Sequence, residues 1–337
     1  MTVFITGVAG FIGFHLADLL LRQGHEVHGY DGVTNYYDIE LKRARLRLLD
    51  RYPRFKMTEA FIEHEADLSA AVARANPRVI VHLAAQAGVR YSLENPRAYV
   101  ESNIIGTFNV LECAKHQKIQ HLLIASTSSV YGANVELPYR EDHKADTQLS
   151  FYAATKKSNE SMAHAYAHLH GIPTTVFRFF TVYGPWGRPD MALFKFTKAI
   201  INDTPIDIYN HGDMWRDFTY VTDLVHGVQL LMGVVPPGPQ DSLHKPVNGD
   251  SLSAVAPYRV VNVGNSEKVR LLDFVEAIEE SLGKRAIRNY MQIQAGDVPA
   301  TWADATLLEQ LTGYRPQTSF KDGVRHFVDW YRQYHSM

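Results

Sequence analysis

The sequence predicts an α/β fold, a doubly wound parallel sheet with helices on both faces, followed by a smaller α/β C-terminal lobe. Up to about residue 180, short apolar runs alternate with longer segments whose apolar residues recur at helical spacing. Near-continuous apolar strands separated by helices are typical of a parallel sheet that is buried on both faces. Beyond that point the alternation loosens, and short strands mix with helices.

The predicted elements of the first lobe follow this rhythm. Strands are expected at 3–6, 26–30, 79–84, 121–126 and 174–179, and helices at about 11–23, 39–50, 97–117 and 151–170. In the second lobe, strands are expected at 206–210 and 258–263, and helices at 271–282 and 320–334. Ligands of parallel sheets bind beyond the carboxyl ends of the strands, so the residues that follow each strand are the first candidates for a site.

Length divides the chain into two expected domains. A chain of 337 residues is long for a single hydrophobic core. We expect residues 1–180 to form one lobe and 181–337 the other, with some C-terminal segments returning to the first. The segment 233–257 is rich in Pro, Gly and Ser, which predicts an exposed loop.

Composition argues against several classes of function. The formal net charge of -2 offers no general attraction to nucleic acid or to an anionic membrane. A single cysteine, Cys113, permits no internal disulfide and fits a reducing compartment. The sequence contains no HExxH motif, so no metal site is expected. Because no signal peptide or bilayer-spanning run is found, a cytoplasmic location is expected.

A glycine-rich turn joins the first strand to the first helix. Gly7, Gly10 and Gly13 have the spacing G-x-x-G-x-x-G, and Phe11 and Ile12 lie between them. The first glycine permits a tight turn, the second lets the backbone approach a pyrophosphate, and the third lets helix and strand pack closely. An ordinary strand–helix turn needs only one glycine. This spacing therefore predicts a dinucleotide site in a Rossmann-type domain, with the phosphates at the helix N-terminus.

The residue that ends the second strand selects the dinucleotide. Asp31 lies about twenty residues past the glycines, at the position of the ribose-binding carboxylate. A carboxylate there accepts hydrogen bonds from the adenosine ribose and repels a 2′-phosphate. NAD is therefore expected rather than NADP.

A tyrosine and a lysine further along predict catalysis. Tyr152 and Lys156 are separated by four positions, which places both side chains on one face of a helix. A phenol has a pKa near 10, about three units too high for a base at neutral pH. A nearby ammonium and the positive nicotinamide would stabilise the phenolate, and the lysine can also bind the nicotinamide ribose. Such a pair alone is more often an ordinary surface pair, but the dinucleotide turn upstream favours the catalytic interpretation.

Consecutive hydroxyl residues end the strand at 121–126. They are Ser126, Thr127, Ser128 and Ser129. Turn chemistry accounts for one or two hydroxyls at the end of a strand. The whole run indicates a surface that binds a group rich in oxygen.

These motifs resemble those of a known family. TGVAGFIG, STSSVYG and YAATK are similar to motifs of the extended short-chain dehydrogenase/reductases that act on nucleotide sugars. Longer segments, among them RFFTVYGPWGRPDMALFKFTKAI and WRDFTYVTDLV, resemble the UDP-glucuronate 4-epimerases along nearly the whole chain.

The resemblance implies a role for each matching residue. Thr127 takes the catalytic Ser/Thr place, Tyr152 is the base and Lys156 its partner. The implied NAD-binding residues are Gly7, Gly10, Phe11, Ile12, Gly13, Asp31, Leu83, Ala84, Ala85, Gln86, Asn103, Ser126, Tyr152 and Lys156. The implied UDP-sugar-binding residues are Arg90, Thr127, Ser128, Ser129, Tyr152, Thr181, Arg188, Arg216, Gln294 and Asp297. The resemblance puts Arg216 on the diphosphate and Asp297 on the uridine ribose. Arg188 is equally well interpreted as a solvated loop arginine.

A homodimer is also expected. The helices at 97–117 and 151–170 carry apolar residues on more than one face, beyond what one sheet covers. In the family that the chain resembles, these helices form an intersubunit four-helix bundle.

The chain departs from the family pattern near the adenine and matches the glucuronate enzymes at a second position. An acidic residue usually follows the third strand near the adenine, but this sequence has Phe61 there, which leaves stacking or backbone contacts. UDP-glucose epimerases have an arginine three residues before Asp297, whereas this chain has Gln294, as the glucuronate enzymes do.

The choice of reaction follows from the residues after Thr127. Sugar 4,6-dehydratases read T-D-E-V-Y-G and many UDP-glucuronate decarboxylases read T-S-E-V-Y-G. Residues 127–132 read T-S-S-V-Y-G, without a carboxylate. This favours NAD-dependent inversion at C4 of UDP-glucuronate through a transient 4-keto sugar. The alternatives are a general UDP-hexose 4-epimerase, a UDP-glucuronate decarboxylase, and an NAD-binding regulator without catalysis.

Overall fold

The computed structural model describes residues 1–241, 247–294 and 296–336, so residues 242–246 of the predicted loop at 233–257 lie outside it. The strands are β1 (Thr2–Thr6), β2 (Glu26–Asp31), β3 (Phe55–Glu59), β4 (Val79–His82), β5 (His121–Thr127), β6 (Thr174–Phe179), β7 (Thr181–Tyr183), β8 (Ile206–Ile208), β9 (Trp215–Arg216), β10 (Phe218–Tyr220), β11 (Tyr258–Val263), β12 (Val269–Arg270), β13 (Arg288–Tyr290) and β14 (Ala300–Thr301). The helices are α1 (Phe11–Arg22), α2 (Ile39–Leu49), α3 (Glu65–Ala75), α4 (Tyr91–Glu94), α5 (Pro96–Tyr99), α6 (Gly106–Gln117), α7 (Phe151–His170), α8 (Ala192–Ile201), α9 (Val221–Leu231), α10 (Leu271–Leu282), α11 (Thr306–Thr312) and α12 (Phe320–Tyr334).

The predicted parallel sheet is confirmed. It has seven strands in the order β11-β6-β5-β4-β1-β2-β3, and every neighbouring pair is parallel. β11 was expected as a strand of the second lobe, but it lies beside β6 and completes this sheet. The carboxyl ends of all these strands therefore lie along one edge, where a ligand binds.

The apolar pattern did not predict the edge strand β3 or the helix that follows it, and only the family resemblance implied a third strand before Phe61. β3 has a single buried residue, Phe55, because it lies at the edge of the sheet. Its polar sequence gives no continuous apolar run. The helix α3 was missed with it, although Leu68 and Val72 are buried at helical spacing.

Helices cover the sheet on both faces. On one face α1 and α9 pack together and bury apolar residues such as Leu20 and Val228. On the other face α3, α6 and α7 bury residues such as Val110 and Ala163. Both faces are thus removed from water, which explains the runs of consecutive apolar residues within most of the strands.

The second lobe has its own core and its own small sheets. These have the strand orders β12-β9-β14, β13-β8 and β10-β7. The core includes Phe218 and Phe274, whose rings stack with centroids 3.8 Å apart. Within the described residues, no helix is both long enough and apolar enough to cross a membrane.

Candidate active site

The glycine turn after β1 is too crowded for side chains. Gly7 has φ +76°, and a Cβ there would lie 2.7 Å from the Ala84 nitrogen. A Cβ on Gly13 would lie 2.1 Å from the Gly7 carbonyl oxygen, and one on Gly10 would lie 2.9 Å from it. No side chain caps the first turn of α1, which begins at Phe11. The helix N-terminus therefore presents backbone N–H groups to an anion.

The Asp31 carboxylate is hydrogen-bonded to this turn. Its Oδ2 accepts a hydrogen bond from the Ala9 amide at 3.0 Å, and its Oδ1 accepts one from the Val33 amide at 2.7 Å. Burial raises the pKa of Asp31, while the Val33 amide and the charge of Lys42 lower it. The carboxylate lies at the end of β2, beside the glycine turn, where the sequence predicts a ribose-binding residue.

The segment after β4 is fixed by an asparagine. The strand predicted at 79–84 ends at His82. The Leu83 and Ala84 amides that follow donate hydrogen bonds to the Thr6 hydroxyl, at 3.2 and 3.1 Å. The Asn103 amide group then bonds both the N–H and the carbonyl of Gln86, at 2.8 and 3.1 Å.

Asn103 lies in a π-helical turn, Val100–Ile105, that joins α5 to α6. Such turns are frequent at functional sites. Its side chain also donates to the Thr155 hydroxyl at 3.0 Å. This residue therefore ties the segment after β4 to α7.

The hydroxyl run divides into two sets. The Ser126 hydroxyl points into the protein and donates to the Glu160 carboxylate at 2.6 Å. Thr127 accepts from the Ser129 amide and donates to the Ser129 hydroxyl, both at 3.2 Å, which shapes the turn after β5. Ser128 and Ser129 are partly exposed. Of the four hydroxyls, only that of Ser126 bonds the Glu160 carboxylate, so any contact from Ser126 to a ligand falls to its backbone.

Tyr152 lies in the first turn of α7, close to the end of β5. Burial raises its pKa, while the positive charge of Arg188 and a hydrogen bond with the Thr127 hydroxyl lower it. The Tyr99 ring packs edge-to-face against the Tyr152 ring, with centroids 6.0 Å apart. The phenol is thus held beside a hydroxyl and a cation.

Lys156 is buried one helical turn below the tyrosine. Its ammonium donates to the Ala125 carbonyl at 2.9 Å. Burial lowers the pKa of Lys156 to about 8, and the Glu160 carboxylate opposes this shift, so the ammonium form still predominates at neutral pH. Arg188 supplies a positive charge that lowers the pKa of Tyr152 in this structure.

Arg188 is not a solvated loop arginine. Its guanidinium binds Asp190 through two hydrogen bonds, at 3.0 and 2.5 Å, and its side chain is 20% exposed. The Tyr36 hydroxyl donates to the same carboxylate at 3.2 Å. Arg188 and Thr181 line one cleft together with Phe11 of the glycine turn.

A second group of predicted residues lies where the two lobes meet. Arg90 from the first lobe contacts Asp297 from the second at 3.2 Å. Arg216 bonds the carbonyls of Trp215 and Pro299. Burial lowers the pKa of Arg216, Asp297 raises it, and Arg90 lowers it, so the three charged groups lie close together.

Gln294 lies in the segment that leads to Asp297. Its backbone carbonyl accepts from the Asp297 amide at 3.2 Å. Its side-chain oxygen is buried and has no hydrogen-bond partner among the described residues.

Sequence reasoning missed several residues that support the site. Asp190, Tyr36 and Tyr99 gave no signal, because each reaches the site only through the tertiary fold. Glu160 had a signal, since it lies four positions after Lys156 on the same helical face. Its carboxylate binds the buried Arg178 guanidinium at 2.9 and 2.8 Å.

Comparison with known proteins agrees with this arrangement. The family described as GDP-mannose 4,6 dehydratase matches residues 4–327. A probable UDP-glucuronate 4-epimerase of Rhizobium meliloti (strain 1021) is 54% identical over 99% of this chain and 97% of that protein. UDP-glucuronate 4-epimerase 4 of Arabidopsis thaliana is 43% identical over 100% of this chain and 76% of that protein.

A solved structure is similar over the whole fold. The UDP-glucuronic acid 4-epimerase of Bacillus cereus, in complex with UDP-glucuronic acid and NAD, superimposes with a TM-score of 0.87 at 33% identity. The alignment covers 99% of this chain and 100% of that one. The chain belongs to the matched family, within the extended short-chain dehydrogenase/reductases that act on nucleotide sugars.

Proposed function

We propose that this protein catalyses the NAD-dependent inversion of C4 in UDP-glucuronate, which gives UDP-galacturonate and regenerates NAD in each cycle. One observation carries the proposal. Tyr152, with Thr127 beside it, lies near the end of β5, two strands from β1 and its glycine turn. The charge of Arg188 acts on Tyr152, and Arg188 lines a mainly apolar cavity together with Thr181 and Phe11. A base, a dinucleotide turn and groups that attract a carboxylate therefore meet at one place.

The residues around the turn fit NAD. The crowding at Gly7 and Gly13 leaves room only for backbone, and the uncapped N-terminus of α1 suits a pyrophosphate. Asp31 suits a ribose with free hydroxyls. When bound, NAD supplies the acceptor and then the donor of the C4 hydride.

The catalytic residues move one proton. Tyr152 as phenolate takes the proton of the C4 hydroxyl and later returns it to the C4 oxygen. Burial raises the pKa of this phenol, and the Arg188 charge and the Thr127 hydroxyl oppose that rise. The positive nicotinamide of bound NAD would lower it further. Lys156 holds its ammonium at the end of β5, where it can orient a ribose and add positive charge as the phenolate forms.

The polar groups around the sugar site distinguish this reaction from its alternatives. A 4-keto uronic acid is a β-keto acid, which loses carbon dioxide when the bond to its carboxylate stands perpendicular to the carbonyl plane. Hydrogen bonds from Ser128, Ser129 and Thr181, with the charge of Arg188, hold the carboxylate away from that geometry. The absence of a carboxylate at 127–129 argues against elimination and acid-assisted decarboxylation.

Both lobes contribute to the proposed complex. Residues 1–180 hold NAD, and residues 181–337 hold most of the UDP-sugar. Arg90 is the exception, because it lies in the first lobe and contacts Asp297 across the boundary. Arg216 lies close to this pair, and its guanidinium would bind the diphosphate.

The proposal includes a homodimer in the cytoplasm. Val100 and Ile105 expose 39 and 41% of their surfaces in the π-helical turn before α6, and Phe108 within α6 exposes 43%. Phe151 at the start of α7 exposes 40%. A second copy that packs on these helices would bury them, and light scattering at micromolar concentration should give twice the chain mass. The buried free thiol of Cys113 suits a reducing compartment.

Product analysis tests the activity. The purified protein is incubated with UDP-glucuronate, and the products are resolved by NMR. UDP-galacturonate is the expected product. Dominant UDP-pentose would identify a decarboxylase, equal use of UDP-glucose would identify a general hexose epimerase, and NAD binding without turnover would identify a regulator.

A further inference from the structure

The edge of the main sheet beside Asp31 carries an exposed aromatic ring. β3 pairs with β2 so that Glu59 lies next to Asp31, and Phe61 follows two residues later. Phe61 is 43% exposed, although its neighbour Ile62 is only 6% exposed. An exposed phenylalanine at the carboxyl edge of a parallel sheet lies where the ligands of such sheets bind.

The orientation of this ring is fixed from several sides. A Cβ on Gly32 would lie 2.8 Å from Cδ1 of Phe61, so the ring covers the bare backbone of residue 32. The His64 ring packs edge-to-face against it, with centroids 5.6 Å apart. The Tyr30 hydroxyl donates to the Phe61 carbonyl at 3.0 Å.

The backbone carbonyls around the ring already have donors. The Phe61 carbonyl accepts from Tyr30, and the Asn109 amide donates to the carbonyls of Ile62 and Glu63, both at 3.1 Å. An exocyclic amino group would seek such acceptors. What this segment exposes to a ligand instead is an aromatic side chain, since Phe61 is 43% exposed.

We infer that Phe61 is the platform on which the adenine of NAD stacks, so that this protein holds the base by its face rather than by its amino group. The inference rests on the proposed NAD dependence. If Asp31 binds the adenosine ribose, the adenine joined to that ribose extends to the next strand, which is β3. Stacking on an aromatic side chain tolerates different bases, because every base has a π-face.

Direct binding tests the inference without turnover. The full chain, freed of nucleotide, is titrated calorimetrically with NAD and with nicotinamide hypoxanthine dinucleotide, in which an oxygen replaces the amino group. The two dissociation constants should agree within about threefold, because both bases stack equally well. Phe61→Ala should weaken both by roughly 5- to 150-fold, the range that one stacked base contributes. Phe61→Trp should bind both as tightly as wild type does.

A second substitution tests the position of the ring. Gly32→Ala keeps the phenylalanine but would push its ring aside, because of the 2.8 Å approach. It should weaken NAD in the wild-type background and have little further effect in Phe61→Ala. Ile287→Ala, which shortens another apolar residue that is 52% exposed, is the control and should leave NAD binding unchanged.

Two results would overturn the stacking inference while NAD still binds. One is a preference of wild type for NAD of more than about tenfold over the hypoxanthine dinucleotide, which would mean that the amino group is recognised. The other is Phe61→Ala binding NAD within about twofold of wild type, which would mean that the ring contributes little. Failure of the wild-type protein to bind NAD at all would instead overturn the proposed function, and this inference with it.

Discussion

Raising the pH from 5 to 8 should destabilise this protein through Glu141. Its carboxylate accepts a hydrogen bond from the backbone amide of Asn262 at 2.7 Å. Asn262 is a buried residue near the carboxyl end of β11. Burial raises the pKa of Glu141 from 4.5 to about 7. The folded state therefore holds this proton more tightly than the unfolded state does. The stability it contributes is complete below pH 4.5 and is lost as the pH rises through about 7.

The size of the effect follows from the two pKa values. The pKa of Glu141 rises from 4.5 to about 7 on folding. The free energy of unfolding therefore falls by as much as ~3 kcal/mol as the pH rises between these two values. Glu141→Gln keeps an oxygen for the Asn262 amide and removes the titration. The variant should therefore melt at a temperature similar to that of wild type at pH 5 and several degrees above it at pH 8.

Calorimetry at both pH values measures this difference. Glu136→Gln, which changes an exposed glutamate in the same segment, is the control and should follow wild type. If wild type and Glu141→Gln lose equal stability between pH 5 and 8, Glu141 does not hold a proton in the folded state.

Further predictions concern the site. Tyr152→Phe should bind NAD normally and turn over roughly 10²- to 10⁴-fold more slowly, because a positioned acid–base group is lost. Turnover within a few-fold of wild type would mean that another group is the base. Arg188→Met removes the charge that lowers the pKa of Tyr152. The low-pH limb of the plot of kcat against pH should therefore move to higher pH, and an unmoved limb would contradict the electrostatic role of Arg188. Thr181→Ala and Ser128→Ala should slow epimerisation and raise the UDP-pentose share measured by NMR, because the carboxylate loses donors; unchanged product ratios would refute the restraint.

The local parts of the site were predictable from the sequence. The glycine turn is specified by positions that leave no room for a Cβ. The proposed catalytic pair is specified by helical spacing, which places Tyr152 and Lys156 on one face of α7. Most strands of the sheet were predicted because burial on both faces favours runs of consecutive apolar side chains. In each case the physical constraint acts within a few residues of chain.

Only the tertiary structure decided which distant residues meet. The contact between Arg90 and Asp297 joins residues 207 positions apart. The Ser126 hydroxyl belongs to the predicted run but turns inward, because Glu160 lies behind β5. The Arg188 charge that lowers the pKa of Tyr152 comes from the loop after β7, far from Tyr152 along the chain. Spacing along the chain specifies the local backbone, whereas hydrogen bonds and charges between lobes depend on how separate elements pack, which no local pattern encodes.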